Sequence, residues 1–166
     1  AERMIQMLSN FYRRSLANDP TADVPLAEEV ALQKLYLDIE AVRFPQRLVA
    51  EYAIPAELED VLVPGMILQP LVENSVRHAV GPRAGPVRIT IAAREEYGRL
   101  VLSVTDDGQN ARESDGRRKG FGIGLANVRE RIEARFGPEA SVVSGAGPDG
   151  YATILRLPML RLGGMA

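Results

Sequence analysis

The hydrophobic period of the chain changes at Pro45, and that change limits the folds open to it. Before Pro45 apolar residues recur at intervals of three and four; after it they alternate. From Glu2 to Leu16 the apolar positions are Met4, Ile5, Leu8, Phe11, Tyr12 and Leu16, which predicts an amphipathic helix ended by Asn18, Asp19 and Pro20. A second helix is predicted from Pro25 to just before Pro45. Pro25 suits a first turn, and Glu28 and Glu29 suit the positive end of the helix dipole. Leu32, Leu35, Tyr36, Ile39 and Val42 form one apolar stripe on it, while Val30, Leu37, Ala41 and Phe44 occupy another side. Two apolar sides need two partners. One is the globular part of the chain, the other the first helix or a second copy of the chain.

After Pro45 the short runs Leu48 to Ile54, Val87 to Ala93, Leu100 to Thr105, Ser141 to Ser144 and Tyr151 to Leu157 read as strands. The second and third flank EEYGR, a hairpin turn, and should pair antiparallel. Helices are expected at Met66 to Val80 and at Leu125 to Phe136, the latter stopped by Gly137 and Pro138. The fold class is therefore α+β, a mixed sheet covered by helices on one face. Residues 1–45 form a helical region and residues 46–162 one globular domain. Arg112 to Gly120 (RESDGRRKG) is a polar loop without a period.

The 166 residues carry a net charge of −2, which gives no electrostatic footprint for direct contact with nucleic acid. With no cysteine, disulfides and thiolate metal sites are excluded, and the cytoplasm is the expected location. The most apolar run, Val61 to Val72, is interrupted by Pro64, Gly65, Gln69 and Pro70 and falls well short of the ~20 residues that span a bilayer. Any membrane attachment is expected only through segments upstream. The chain opens on alanine and directly in helical pattern, so the expectation is a fragment of a longer protein.

Three motifs then follow in order: LQPLVENSVRHAV (residues 68–80), VTDDG (104–108) and GFGIGLANV (120–128). On the first, Leu68, Val72, Val76 and Ala79 share one helical face, and Asn74, Arg77 and His78 share another, directed away from the core. An asparagine oxygen suits Mg²⁺ that already carries phosphate oxygens and water, and Arg77 can hold phosphate by charge-assisted bonds. In the second, Asp106 ends a strand and Gly108 permits a tight turn. A carboxylate there can accept from the exocyclic amine of adenine. In the third, Gly120, Gly122 and Gly124 let backbone N–H groups approach a polyphosphate at the start of a helix near Leu125. Arg117, Arg118 and Lys119 precede them and can fold over a terminal phosphate. The spacing is neither that of a dinucleotide-binding turn nor that of a Walker loop. Each motif alone would be a surface feature; together they make ATP the expected ligand.

The order LQPLVEN, DDG, GIGLANVRERI resembles the N box and the two glycine boxes of the GHKL ATP-binding superfamily, and specifically the LytS-type sensor histidine kinases. VPLAEEVALQKLYLDIEAVRF resembles the helix that precedes the ATPase domain in that family. The resemblance implies a Bergerat-type two-layer α/β sandwich preceded by two helices of a truncated dimerisation region. It implies Asn74 as Mg²⁺ ligand, Arg77 and His78 near phosphate, and Asp106 at adenine. Gly108, Gly122 and Gly124 would shape the pocket, with Arg118, Lys119, Gly120, Ile123 and Leu125 completing the ATP-binding set. It further implies a homodimer through the N-terminal helices of the full protein and a response regulator receiver domain as the eventual phosphate acceptor.

Three departures from the family pattern carry consequences. The phosphoacceptor histidine of an NPHFLFN-like motif is expected upstream; the one histidine here is His78, so the fragment alone should not autophosphorylate on histidine. Gyrase-like relatives place a glutamate four residues before the asparagine, and here that position is Pro70, which predicts slow or absent hydrolysis. Tyr151 stands where a small residue usually follows the last glycine and would crowd the adenine pocket, whereas Asn110 in place of a second glycine is a mild change. The leading reading is the ATP-binding half of a histidine kinase. The alternatives are a non-catalytic nucleotide-binding regulatory module and a serine-directed relative that binds sigma factors, the latter disfavoured by the helical lead-in of residues 24–44.

Overall fold

The change of period at Pro45 is where helix gives way to sheet. The computed structural model describes residues 2–17, 22–77, 85–107, 123–147 and 150–161. Helix α1 (Glu2–Ala17), strand β1 (Asp23–Pro25) and helix α2 (Leu26–Arg43) come first, and β2 (Leu48–Ala53), β3 (Leu62–Pro64) and helix α3 (Gln69–Ser75) follow. Then come β4 (Val87–Glu96), β5 (Arg99–Asp106), helix α4 (Ile123–Phe136), β6 (Ser141–Gly147) and β7 (Gly150–Pro158).

Five strands form one sheet in the order β2-β4-β5-β7-β6; β2 and β4 are parallel, and the other neighbours antiparallel. Alternation decides which face is covered. Val87, Ile89 and Ile91 of β4, Leu100, Leu102 and Val104 of β5, and Leu155 and Leu157 of β7 are buried together with Leu37, Leu71, Val72, Leu125, Val128 and Ile132 from the helices. At ~1.5–3 kcal/mol for each fully buried large aliphatic side chain, this layer is the main source of stability. The intervening Arg88, Thr90 and Arg94 point to the face without helices, so the expected two-layer arrangement is present.

Both apolar sides of α2 find their partner within one chain. Leu32, Leu35, Tyr36 and Ile39 meet Phe11, Met4, Met7 and Leu8 of α1 in a small cluster of their own. Val30, Leu37, Ala41 and Phe44 join the sheet core, while Val42 stays exposed. The EEYGR turn is a two-residue hairpin loop in which Tyr97 and Gly98 both take positive φ, 52° and 77°. That geometry matches the twist of the flanking strands and leaves the Tyr97 ring 98% exposed.

Two elements differ from the sequence reading. The predicted helix from Met66 starts only at Gln69, because Met66 sits at φ 63°, outside helical space, and Pro70 tolerates only the first turn. It ends at Ser75, with Val76 and Arg77 in a wider turn; residues 78–80 of the expected helix lie outside the described residues. A second, two-stranded antiparallel sheet of β1 and β3 pins the entry of α2 to the approach to α3. Three-residue strands carry too little alternation to be read in advance.

Candidate functional site

Helix α3 carries the first motif, and its polar residues do not all face solvent as the helical-face pattern suggested. Asn74 is buried, with 6% of its surface exposed, whereas Arg77 is exposed. The physical reason is that α3 is short and packed between β5 and α4, so the side opposite the Leu68, Leu71 and Val72 contacts is also covered. Asn74 Nδ2 and the neighbouring Ser75 Oγ have no hydrogen-bond partner among the described residues. Buried polar atoms without partners are costly and uncommon in native structures, which fits a polar ligand at this position. His78 lies outside the described residues.

Glu73, which the sequence left without a role, accepts a hydrogen bond from Gln69 Nε2 at 3.0 Å one turn back. Its charge also reaches the Tyr36 hydroxyl on α2. That phenol is pushed well above its ordinary pKa of 10.0, by burial first, then by the Glu40 carboxylate it bonds and by Glu73.

The second motif sits where expected. Asp106 is the last residue of β5, buried to 5% exposure on the helix-covered face. Asp107 turns back on the sheet edge, its Oδ1 accepting the Arg88 N–H at 2.7 Å. Gly108 lies outside the described residues. Opposite Asp106 in the ladder is Tyr151, and just before it Gly150 takes φ 142°. A Cβ at Gly150 would collide with the Asp106 carbonyl oxygen, so glycine is required there on both counts.

Tyr151 is buried beside this strand end, and its hydroxyl donates to Ser144 Oγ at 3.1 Å. The ring is therefore tied sideways to β6. One period further along the same face, Thr153 pairs with Val104 and is diagonal to Asp106. It is fully buried, and its Oγ1 has no partner among the described residues. Thr153 is a candidate polar contact that the sequence reading did not single out. The signal was present in YATILRLP, where the alternation of Tyr151, Thr153, Leu155 and Leu157 places the small polar Thr153 in an otherwise aromatic and aliphatic row.

Of the third motif, residues 120–122 lie outside the described residues, as do Arg118 and Lys119. Ile123 opens α4, and Leu125 is buried in the core beside Val128 and Ile132, so only its backbone is free to serve a ligand. Gly124 is the informative position. A Cβ built on it would lie 3.5 Å from Cβ of Pro70, which places the start of α4 against the first turn of α3. Motifs more than fifty residues apart thus meet, and α3 packs on β5, the strand that ends in Asp106.

A separate concavity of about 680 Å³ wraps the same strand ends. Asp106, Tyr151 and Ser144 line its rim, but Thr90, Thr105 and Ala152 place most of it on the helix-free face, and Asn74 does not line it. Asn74, Thr153 and Asp106 are instead buried on the helix-covered side of the sheet. No group of three or more metal-ligating side chains occurs among the described residues. A Mg²⁺ held by one amide oxygen, phosphate oxygens and water needs none. Among the described residues no helix is long and apolar enough to cross a membrane.

Residues 59–161 match the family described as histidine kinase-, DNA gyrase B-, and HSP90-like ATPase, and residues 1–48 match one described as histidine kinase. Sensor histidine kinase BtsS of Escherichia coli strain K12 is 36% identical over 159 residues, covering 95% of this chain and 28% of that protein. Sensor protein LytS of Bacillus anthracis is 33% identical over 149 residues, covering 84% of this chain and 25% of that protein. The chain thus spans under a third of the length of these relatives. Among solved structures, the catalytic domain of histidine kinase ThkA aligns with a TM-score of 0.62 at 18% identity, over 84% of this chain and 97% of that one. ThkA in complex with the response regulator protein TrrA aligns with a TM-score of 0.57 at 16% identity, over 95% of this chain and 47% of that one. A family match over more than half of the residues, with relatives among the sensor histidine kinases and the fold of a histidine kinase catalytic domain, settles the family: the chain belongs to the histidine kinase-, DNA gyrase B- and HSP90-like ATPases.

Proposed function

We propose that this domain holds Mg·ATP between its helices and sheet and presents the γ-phosphate to a histidine outside these 166 residues, from which it passes to a response regulator receiver domain. The observation that carries the reading is the close approach of Gly124 to Pro70, which brings the asparagine helix and the glycine-led helix together, with α3 packed on β5, the strand that ends in Asp106. In this reading Asn74 holds Mg²⁺, which offsets charge on the phosphate oxygens when bound. Asp106 accepts from the adenine amine, with Thr153 beside it. Arg77, His78, Arg118 and Lys119 face phosphate, and the backbone at Gly108, Gly120, Gly122, Ile123, Gly124 and Leu125 shapes the pocket.

Transfer breaks the bond between the γ-phosphorus and its bridging oxygen and forms one to a histidine ring nitrogen. ADP leaves, and the ring gives up its proton. Since His78 stands within the ATP-binding motif, it is not the acceptor. ThkA, a structural relative, has been solved with a response regulator, which supports a receiver domain as the onward partner. Ile5 and Tyr12 on α1 and Val42 on α2 are exposed apolar side chains, which supports pairing of two copies through this helical region. The reading carries a cytoplasmic location, where Mg·ATP is available.

The test combines binding with transfer. The 166-residue chain should bind Mg·ATP by calorimetry and take up no acid-labile label from γ-labelled ATP. The protein extended to include an upstream acceptor histidine should take up that label. Binding without transfer in the extended protein would favour a nucleotide-binding regulatory module, and phosphohistidine at His78 would refute the assignment.

A further inference from the structure

Helix α2 carries buried polarity that its apolar packing does not require. Glu29 is 2% exposed, and a buried carboxylate is costly unless hydrogen-bonded. Burial raises its pKa above the ordinary 4.5, opposed by the backbone N–H groups it accepts and by the charge of Arg131. Those N–H groups are specific. One Glu29 oxygen accepts from Met66 at 2.9 Å and the other from Leu68 at 2.8 Å. Both donors belong to the entry of α3, and that helix has no side-chain cap of its own, because its N-cap residue is Leu68. Met66 meanwhile holds a left-handed φ of 63°, a conformation a side-chain-bearing residue keeps only when its surroundings fix it.

The cap that α3 lacks is thus supplied from α2, 37 and 39 residues earlier in sequence. From Gln69 to Asn74 is five residues, about 7.5 Å of one rigid helix, so a shift at the entry is carried to Asn74. Further along the same pair of helices, the Tyr36 hydroxyl, bonded to Glu40 on α2, senses the charge of Glu73 on α3. We propose that Glu29 is a positioning residue for the metal–nucleotide site: from α2 it fixes the entry of α3 and thereby the place of Asn74. The inference rests on the Mg²⁺ role given to Asn74 above. It also joins the two family segments, since α2 lies within residues 1–48 and α3 within residues 59–161. A displacement of α2 would reach the nucleotide through this carboxylate.

A thermodynamic cycle on the 166-residue chain tests it, with ATP affinity measured in Mg²⁺ and in chelator. Glu29→Gln keeps the shape and one acceptor oxygen but turns its amide donor toward an N–H. It should weaken ATP about five- to tenfold in Mg²⁺, less than the full worth of one hydrogen bond to a charged group because only the part passed on to Asn74 is read, and less than about twofold in chelator. Asn74→Ala should remove the same metal-dependent part, and the double variant should be no weaker than Asn74→Ala alone. Additive losses, or equal losses with and without metal, would make Glu29 a buttress of the fold and overturn the proposal. If the wild type failed to bind ATP, or Asn74→Ala lost affinity equally without Mg²⁺, the site reading itself would fall instead. Should Glu29→Gln fail to fold, amide exchange in the wild type decides. The Met66 and Leu68 amides should exchange about tenfold more slowly with Mg·ATP bound than with ATP in chelator, and equal rates would overturn the proposal.

Discussion

Asp106 and Thr153 lie on the covered face of neighbouring strands, one period apart, with the Gly150 backbone pressed against the Asp106 carbonyl. A purine amine entering this corner would meet a carboxylate held from behind by the chain itself. Replacing the carboxylate with an amide of the same shape removes the charge-assisted acceptor and offers an N–H₂ to another donor. Asp106→Asn should therefore cost roughly 1.5–3 kcal/mol of ATP binding, about ten- to a hundredfold in Kd, with the fold intact. Calorimetric titration of the variant measures it directly; unchanged affinity would reduce Asp106 to a turn residue. Tyr151, expected to crowd this corner, stands opposite Asp106 in the ladder with its hydroxyl bonded to Ser144 on β6.

The elements separate into a sheet core and a satellite. Helix α1 touches the rest through Phe11 and its neighbours packed on Leu32 and Ile39, a cluster distinct from the large one between the layers. Phe11→Ala should cost about 3–5 kcal/mol of α1 docking, enough to release that helix, while the sheet keeps its cooperative unfolding. Hydrogen exchange would show protection lost over residues 2–17 and retained in β4, β5 and β7; parallel loss in those strands would refute the separation. How legible these elements were in the sequence follows their length and range. Strands β4, β5 and β7 alternate over eight or more residues, so period two placed them to within a few residues. The two stripes of α2 announced two partners for the same reason. The late start of α3 was not legible, because it depends on the φ of Met66 and on a carboxylate 37 residues away. Nor was the burial of Asn74, since helical spacing tells which residues share a face but not how many faces are covered. Gly124 and Asp106 were named from motif order, but the packing of Gly124 on Pro70 and of Gly150 on Asp106 is a matter of tertiary structure.

For the molecule as a whole, the question is whether this domain of the ATPase family is built to spend ATP on water. Hydrolysis needs a base aligned with a water behind the γ-phosphate, and a positioned base contributes typically 10²–10⁴-fold. The position four residues before Asn74 is Pro70, which has no group to take a proton and is packed against the start of α4. Glu73 is the carboxylate next to Asn74, but adjacent helical residues diverge by ~100°, so it does not share the asparagine's face. Its side chain is also engaged by Gln69. With neither Pro70 nor Glu73 able to serve as that base among the described residues of α3, the proposed function has the γ-phosphate kept for a histidine ring brought up from outside. Steady-state hydrolysis by the 166-residue chain should therefore stay near or below ~10⁻³ s⁻¹, the order of an unassisted nucleotide hydrolase. Pro70→Ala should leave it there, since it removes no base. A coupled phosphate-release assay that found turnover near 1 s⁻¹ in the wild type would mean that water is activated by a group elsewhere in the domain, and the kinase reading would give way to a conformational ATPase.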